Sequence, residues 1–297
     1  MKFGGTSVAN IERIRNVANH VEREVKAGNK VAVVVSAMSG VTNQLVAWVK
    51  DAAQPGLHDL CEYDAVVATG EQVTAGLLAI ALKAKGLKAR SWTGWQVPIK
   101  TSDAHGSARI LDIPGDEIAK HLNAGEVAVV TGFQGIESGS NRVSTLGRGG
   151  SDTSAVAMAV ALKADVCDIY TDVDGVYTTD PRIVPKAKRL PKVSYEEMLE
   201  MASLGSKVLQ TRSVELAMVH KIRTRVLSSF VAPEAMRAFN IKNLENIGTL
   251  VCDEDEIVEQ QVVSGIAYTK DEAKVTIMKA SRPASSGPWQ MPISTSI

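Results

Sequence analysis

The segment Lys30-Val31-Ala32-Val33-Val34-Val35-Ser36 is a short, almost unbroken apolar run, and it decides the fold class. Such a run is typical of a strand buried on both faces, as in a parallel sheet that is covered by helices. The residues before it predict a helix that ends at Gly28, because apolar side chains recur there at steps of three and four: Ile11, Ile14, Val17, Val21 and Val25. A helix followed by a strand of this kind favours an α/β protein.

The same alternation of helix and strand continues along the chain. Further helices are predicted at residues 42–53, 71–85 and 153–163, and further strands at 126–130, 166–171 and 223–228. Residues 195–210 are predicted to form a helix that breaks near Gly205. Alternating β and α units predict a three-layer αβα sandwich with a largely parallel central sheet.

The composition is that of an ordinary soluble globular chain. The 297 residues allow about two domains, and 45% of them are hydrophobic. Lys plus Arg (33) balance Asp plus Glu (33), which removes the electrostatic support for a general nucleic-acid or membrane-surface binder. The three cysteines form no Cys-x-x-Cys pair, so neither a disulfide framework nor a zinc site is indicated. A reducing cytoplasm is the expected location, and no apolar run reaches the roughly 18 residues of a membrane span.

The composition changes after Phe230, and this change divides the chain into three parts. Residues 1–230 form the main α/β unit, and residues 231–261, which contain an acidic run at 253–256, form a connecting segment. Residues 262–297 begin with a strand-like pair at 262–268 and 274–278. The tail that follows, 281–297, is rich in serine and proline and is not typical of a packed element.

Two glycine turns that lead into helices are candidate phosphate-binding sites. They are Lys2-Phe3-Gly4-Gly5-Thr6-Ser7 and Leu146-Gly147-Arg148-Gly149-Gly150-Ser151-Asp152, whereas the P-loop and dinucleotide-binding fingerprints are both missing. Glycines let backbone amides approach an anion closely, and the following helix dipole favours negative charge. The alternative for each turn is a tight strand-to-helix connection with a Ser, Thr or Asp cap.

A third cluster, residues 170–182, follows a predicted strand, where open parallel sheets place their ligands. It does not fit a calcium loop, because Pro181 falls where the bidentate glutamate belongs. A nucleotide-contacting loop and an Asx-rich surface loop remain as alternatives.

Two single residues also have alternative interpretations. Glu71 at a helix start either interacts with the helix dipole or binds a ligand ammonium group, and Thr42 is either a cap or a ligand contact.

Together these segments resemble the aspartate kinase family. The resemblance continues through residues 68–71, 94–99 and 205–210 and covers essentially residues 2–229, while 262–278 resembles the start of the family's regulatory ACT region. It implies the amino-acid-kinase fold with a short C-terminal ACT-like remnant. It also implies the transfer of the ATP γ-phosphoryl group to the β-carboxylate of L-aspartate, with Mg²⁺, at the entry to lysine, threonine and methionine synthesis.

The resemblance also implies roles for individual residues. Those implied to be catalytic are Lys2, Arg148 and Asp152. Those implied to bind aspartate are Thr42, Glu71, Arg148, Gly149, Gly150 and Ser151. Those implied to bind the nucleotide are Lys2, Phe3, Gly4, Gly5, Thr171, Asp172, Tyr177, Arg182, Lys207 and Val208. No residue is implied to be a metal ligand.

The chemistry of such a reaction agrees with these residue types. When a carboxylate attacks a γ-phosphate, each pair of like charges at about 4 Å costs about 4 kcal/mol at an effective dielectric of about 20. Lys2, Arg148 and a metal ion are the groups available to offset this repulsion. No general base is needed, because a carboxylate is already ionised at pH 7.

The chain departs from the family at both ends. Family members place several strand residues before the lysine, so we expect Lys2 to lie on a frayed strand. The paired ACT domains are absent beyond Met278, which predicts weak or absent feedback by lysine or threonine. Residues 289–294, translated in another frame, allow Leu-Ala-Asp-Ala-Asn-Ile, which is similar to an ACT stretch and suggests a frameshift.

Two alternative functions and one question of assembly stay open at this point. The first alternative is an enzyme of the same fold that acts on another acid, such as glutamate. The second is a degenerate, non-catalytic nucleotide-binding protein, and both damaged ends favour it. Self-association into a homo-oligomer also stays open, because the missing strand or ACT partner would leave apolar surface exposed.

Overall fold

The computed structural model describes residues 1–53, 59–206, 208–231, 247–257 and 265–267. The strands are, in chain order, β1 (Lys2–Phe3), β2 (Ala32–Val35), β3 (Ala89–Trp92), β4 (Lys100–Thr101), β5 (Ile110–Asp112), β6 (Val127–Thr131), β7 (Gln134–Glu137), β8 (Val143–Thr145), β9 (Cys167–Thr171), β10 (Lys192–Ser194), β11 (Thr224–Ser228) and β12 (Thr249–Cys252). The helices are α1 (Ile11–Lys26), α2 (Val41–Ala52), α3 (Leu60–Val67), α4 (Thr69–Ala84), α5 (Asp116–Asn123), α6 (Gly150–Ala161), α7 (Tyr195–Ser203) and α8 (Thr211–His220).

The central sheet has eight strands in the order β10-β12-β11-β9-β1-β2-β6-β3. The six from β11 to β3 are parallel to one another, whereas β12 is antiparallel to β11 and carries the parallel strand β10. The predicted largely parallel sheet is therefore confirmed. A second sheet has the order β5-β4-β7-β8, and its strands of two to four residues are too short to leave a pattern in the sequence.

The valine run that predicts a strand buried on both faces forms β2. Val34 packs in one apolar cluster with Leu122 of α5 and Met158 of α6. Val33 belongs to the cluster on the opposite face, which includes side chains of α1 and α4. Because successive residues of a strand point to opposite faces, β2 holds both helix layers on the sheet, and the predicted three-layer sandwich is confirmed.

Helix bounds differ from the prediction at two places. The break predicted near Gly205 is confirmed, because α7 ends at Ser203, but the next helix, α8, begins only at Thr211, beyond the predicted end at residue 210. Gly205 has a φ of +113°, which a helix cannot continue through, and residues 204–206 and 208–210 are not helical. The helix predicted at 153–163 starts three residues earlier, because Gly149 in the left-handed region turns the chain directly into α6.

Part of the segment interpreted as a connection belongs to the sheet. Residues 249–252 form β12, which inserts between β10 and β11. Four residues give too short an apolar run for the sequence pattern to separate this strand from a linker. The strand-like pair at 262–268 and 274–278, the tail 281–297 and its frameshift hypothesis lie outside the described residues, apart from residues 265–267. Within those three, the Ile266 amide donates to the Thr178 carbonyl oxygen at 2.7 Å.

Helices α3 and α4 together form a stretch, Leu60–Ala84, that is long and apolar enough to cross a membrane by length and composition alone. Half of its most apolar window is buried inside the fold. Leu78 and Leu82 of α4 are fully buried in the cluster that α4 shares with α1 and the central sheet. The buried half of the stretch therefore contributes to the core of the fold.

Helix α7 begins with a capping box, which provides a test of local stability. The Ser194 hydroxyl accepts from the Glu197 amide at 3.2 Å, and the Glu197 carboxylate accepts from the Ser194 amide at 3.1 Å. We expect Ser194→Ala to lower the free energy of unfolding by about 1 kcal/mol, since the partly buried Glu197 amide loses its acceptor. Urea denaturation measures this, with Ser203→Ala at the exposed end of the same helix as the control. Equal losses in both variants would contradict the role of the cap.

Candidate active site

The sequence-predicted site lies at the carboxyl edge of the central sheet, on both sides of β1. In the sheet register, Phe3 of β1 is opposite Val35 of β2 and Tyr170 of β9, and Val35 is opposite Thr131 of β6. The segments that follow these strands therefore come together at one edge. The chain continues from β1 to β2 on one side, whereas β9 and β11 are added on the other side, so strand order switches at β1, where open α/β sheets bind ligands.

Lys2 and Asp152 form a buried ion pair at this edge. Lys2 Nζ lies 2.6 Å from Asp152 Oδ1, and each side chain is only about a tenth exposed (10% and 11%). Asp152 stands in the first turn of α6, where the helix dipole favours a carboxylate. The pair joins β1 to the helix that packs on its face, with the amine next to the glycine turn: a Cβ at Gly4 would lie 3.3 Å from Nζ.

The fraying expected for β1 is not observed. The main chain of Met1 is bonded to β2 on both sides of its Cα, since its ammonium donates to the Ala32 carbonyl and its carbonyl accepts from the Val34 amide, each at 2.8 Å. Phe3 is completely buried and stacks on Tyr170 with ring centroids 4.5 Å apart. These contacts fix Lys2, and they also leave the Phe3 side chain, predicted to bind nucleotide, without access to a ligand.

The glycine turn between β1 and α1 approaches the end of β2 closely. A Cβ at Gly5 would lie 3.1 Å from the Ala37 carbonyl oxygen, so this position has little room for a side chain. A 3₁₀ turn begins at Gly5, and the Ser7 amide donates back to the Gly4 carbonyl at 2.9 Å. The geometry suits an anion held by main-chain amides, which is what the motif predicts.

The second glycine turn lies beside the first. Gly147 and Gly149 have φ angles of +73° and +71°, a region that favours glycine, and the exposed Arg148 stands between them. Ser151 is buried next to the end of β6, since a Cβ at Gly132 would come within 2.8 Å of its hydroxyl oxygen. The structure therefore brings residues 148–152 to the same edge as Lys2.

Glu71 is a buried carboxylate at the start of α4. Its Oε1 accepts from the Ala37 amide at 3.0 Å, while Oε2 is buried with no hydrogen-bond partner among the described residues. Burial raises the pKa of Glu71 to about 7. The hydrogen bond from the Ala37 amide lowers this pKa, but by less than burial raises it. The starts of α2 and α4 touch, because a Cβ at Gly70 would lie 3.4 Å from Val41, and the half-buried Thr42 is the next residue of α2.

The third cluster forms a surface loop after β9. The Thr171 hydroxyl donates to Asp172 at 3.1 Å, and the Tyr177 hydroxyl donates to Asp174 at 2.9 Å. Arg182 is largely exposed and pairs with Asp180 at 2.7 Å. Of the other predicted nucleotide contacts, Val208 is half-buried against the apolar core, and Lys207 lies outside the described residues. Thr171 and Asp172 stand at the same sheet edge as Gly4, whereas Tyr177 and Arg182 are held within their own loop.

Comparison with known proteins places the chain in a family. The model of the amino acid kinase family matches residues 1–228. The chain belongs to the amino acid kinase family. It is 54% identical over 278 residues to the aspartokinase of Pseudomonas aeruginosa, covering 93% of this chain and 64% of that protein. It thus spans just under two thirds of the length of that curated relative.

Solved structures agree with this assignment. The aspartate kinase of Synechocystis superposes with a TM-score of 0.71 at 44% identity, over 85% of this chain and 39% of that one. Escherichia coli aspartokinase III in complex with aspartate and ADP superposes with a TM-score of 0.70 at 30% identity, over 85% of this chain and 64% of that one. The predicted resemblance to aspartate kinases is therefore confirmed.

One residue of this amino acid kinase site was missed from the sequence. The Ser229 amide donates to the Thr171 carbonyl at 2.9 Å, its hydroxyl accepts from Ser7 at 2.7 Å, and its carbonyl accepts from Arg13 at 3.0 Å. It thereby joins the first glycine turn and α1 to the end of β9. Its position directly after the predicted strand 223–228 is the signal that could have found it, because residues just beyond parallel strands line this edge.

A cavity in the described part of this amino acid kinase lies away from the site. It has a volume of about 560 Å³ and is lined by residues such as Met1, Val31 and Cys167, which stand at the amino ends of β1, β2 and β9. It opens there because β1 has two residues, whereas β2 has four and β9 has five. The glycine turns, the Lys2–Asp152 ion pair and Glu71 are all at the opposite edge of the sheet, so this cavity is not part of the site.

Proposed function

We propose that this chain is an aspartate kinase that transfers the γ-phosphoryl group of ATP to the β-carboxylate of L-aspartate. The products are 4-phospho-L-aspartate and ADP, at the entry to lysine, threonine and methionine synthesis. The observation that carries the proposal is the buried Lys2–Asp152 pair, which holds an amine beside the Gly4 turn at the carboxyl edge of the sheet. The E. coli relative solved with aspartate and ADP supports both substrates.

The main chemical task of these residues is to offset negative charge. The attacking carboxylate and the γ-phosphate repel each other, and Lys2 is the buried cation positioned to lower that repulsion. Asp152 orients the amine by pairing with it at 2.6 Å. Arg148 is exposed on its turn and can swing towards the same phosphate. Catalysis then rests on positioning and charge stabilisation, with no covalent intermediate on the protein.

The acid substrate would be held by the second turn together with Glu71. The unpartnered Oε2 of Glu71 is the acceptor expected to receive the substrate ammonium group. The start of α6 at Gly149 and Gly150, the Ser151 hydroxyl and Arg148 suit the carboxylates, and Thr42 offers a further hydroxyl. The Gly150 amide itself donates to the Gly147 carbonyl at 3.0 Å and so helps to shape the turn. This arrangement favours a substrate with one amine and two acidic groups.

The nucleotide would lie over the ends of β1 and β9. Gly4 and Gly5 would face its phosphates, and Thr171, Asp172, Tyr177, Arg182, Lys207 and Val208 would surround the remainder. The described residues contain no group of three or more His, Cys, Asp or Glu side chains that could cage a metal ion. This fits Mg²⁺ bound mainly through ATP phosphates, with Asp172 as the carboxylate that would help to hold it. When bound, Mg²⁺ neutralises phosphate charge.

Trapping of the acyl phosphate tests the proposed function. With ATP, Mg²⁺ and hydroxylamine, the chain is expected to form aspartyl hydroxamate at a rate that saturates with aspartate. Parallel reactions with glutamate test for another acid substrate, and glutamyl hydroxamate as the main product would replace aspartate in the proposal. Nucleotide binding without any hydroxamate would instead indicate the degenerate nucleotide-binding protein.

A cytoplasmic location and self-association are also part of the proposal. Cys167 and Cys252 are buried as free thiols, and burial raises the pKa of both, to about 12 and about 11, which suits a reducing compartment. Helix α4 exposes 55% of Val73 and 66% of Ile80, an apolar face suited to a second copy. Light scattering of the purified chain, which measures its mass in solution, tests the homo-oligomer.

A further inference from the structure

A buried carboxylate outside the predicted site connects three segments of the chain. Asp64, on α3, is completely buried. Its Oδ2 accepts from the Thr145 amide at 3.0 Å and lies 2.7 Å from His105 Nδ1, and its Oδ1 accepts from the Thr145 hydroxyl at 2.5 Å. The Gly106 amide lies 3.1 Å from both oxygens.

The residues that Asp64 holds lead directly into the Arg148 turn. Thr145 is the last residue of β8, and Leu146 and Gly147 follow it. Gly147 packs against the segment of His105 and Gly106, since a Cβ at Gly147 would lie 3.2 Å from the Gly106 carbonyl oxygen. Asp64 therefore fixes both the strand end before the turn and the backbone on which the turn rests.

Arg212 of α8 holds the same turn from the other side. Its guanidinium donates to the Leu146 carbonyl at 2.7 Å and to the Ala108 carbonyl at 3.0 Å. The Ala108 amide in turn donates to the Thr145 carbonyl at 2.9 Å. Asp64 and Arg212 therefore fix the backbone of Thr145 and Leu146 from two directions. Arg148 lies two residues further along the chain.

We propose that Asp64 is a positioning residue, which sets the Arg148–Ser151 turn in the place where it binds the acid substrate. This inference rests on the proposed function and extends it to a group that touches no reactant. Four polar groups make five hydrogen-bond contacts with one buried carboxylate, so the turn keeps one conformation before substrate arrives. Two left-handed glycines flank Arg148 and would otherwise permit many conformations. Preorganisation of this kind reduces the ordering that binding requires.

The variant Asp64→Asn tests the proposal, because it keeps the size of the side chain but places an amide among donors. We expect the KM for aspartate to rise by about 10-fold or more, as the turn loses its fixed position, with the KM for ATP changed by less than about 2-fold. Thr145→Ser keeps both donors to Asp64 and is expected to retain the wild-type KM values. Thr145→Val removes one donor and is expected to give an intermediate KM for aspartate.

A matched control separates positioning from general loss of stability. Glu24 is also a buried carboxylate, bonded to Arg23 and Asn29 at the other edge of the sheet. Glu24→Gln is expected to lower the melting temperature without raising the KM for aspartate relative to that for ATP. If Glu24→Gln raised the KM for aspartate as much as Asp64→Asn does, or if Asp64→Asn left it unchanged, the proposal would be overturned.

Hydrogen exchange tests the same proposal without relying on activity. In the wild-type chain the amides of residues 145–150 are expected to exchange slowly, and Asp64→Asn is expected to speed their exchange by about 10-fold or more, while exchange in α1 stays the same. If Asp64→Asn speeds exchange at residues 145–150 while the wild-type chain phosphorylates no acid, the positioning role of Asp64 is supported and the proposed kinase activity is rejected. Unchanged exchange at residues 145–150 in Asp64→Asn would overturn the positioning role whatever the activity.

Discussion

Replacing Lys2 with methionine is expected to lower kcat for aspartate phosphorylation by at least about 10²-fold. Methionine has a similar length but no charge, so the variant removes the buried cation that offsets charge between carboxylate and phosphate. Residue 2 is expected to keep its position in β1, because the Met1 and Phe3 contacts that hold the strand do not involve the Lys2 side chain. The rate of aspartyl hydroxamate formation at saturating ATP and aspartate measures the effect.

Loss of stability must be separated from loss of charge stabilisation in this experiment. Lys2→Met leaves Asp152 as an unpaired buried charge, which is expected to cost about 3–5 kcal/mol of unfolding free energy. The double variant Lys2→Met/Asp152→Asn removes that charge and is expected to recover most of the stability while the activity stays lost. Lys120→Ala, at a lysine that is 74% exposed, is the control with unchanged activity. A folded double variant that keeps more than a tenth of the wild-type kcat would contradict the role of Lys2.

Glu71→Gln is expected to stabilise the ligand-free chain at pH 8 and to weaken aspartate binding. The pKa of Glu71 is raised by burial from 4.5 to about 7, so between these values the folded chain binds more protons than the unfolded chain. The free energy of unfolding therefore falls as the pH rises through this window. Above pH 7, where Glu71 is ionised, its burial lowers the free energy of unfolding by about 3 kcal/mol. Glutamine carries no charge, and its carbonyl can still accept from the Ala37 amide.

The expected gain in stability depends on pH, and this dependence is the measurement. Glu71→Gln is expected to unfold at higher urea concentration than the wild type at pH 8 and at nearly the same concentration at pH 4. The KM for aspartate is expected to rise by about 10-fold or more at pH 8, because the substrate ammonium loses its charged acceptor. Glu117→Gln, at a carboxylate that is 55% exposed, is the control. A stability gain that is equal at both pH values would contradict the raised pKa.

Local patterns in the sequence determined the layers of this protein. Three consecutive valines in β2 required burial on both faces, and the three- and four-residue steps of α1 required one apolar side, so the αβα sandwich followed. The glycine turns that follow β1 and β8 were equally visible, because glycine and a neighbouring cation form a local signature. Each of these features depends only on residues that are close together in the sequence, within a single helix, strand or turn.

Only the tertiary structure decided which of these features meet. The Lys2–Asp152 pair joins the start of the chain to its middle, and Asp64 bonds to Thr145, which is 81 residues away. The raised pKa of Glu71 arises from burial by distant elements, and β12 is a strand because β10 and β11 pair with it. Composition and periodicity encode how deeply a residue is buried, whereas the identity of its partners depends on strand register and helix packing across the whole fold. For this reason the candidate residues could be predicted from the sequence, whereas their meeting at one edge of one sheet could be seen only in the fold.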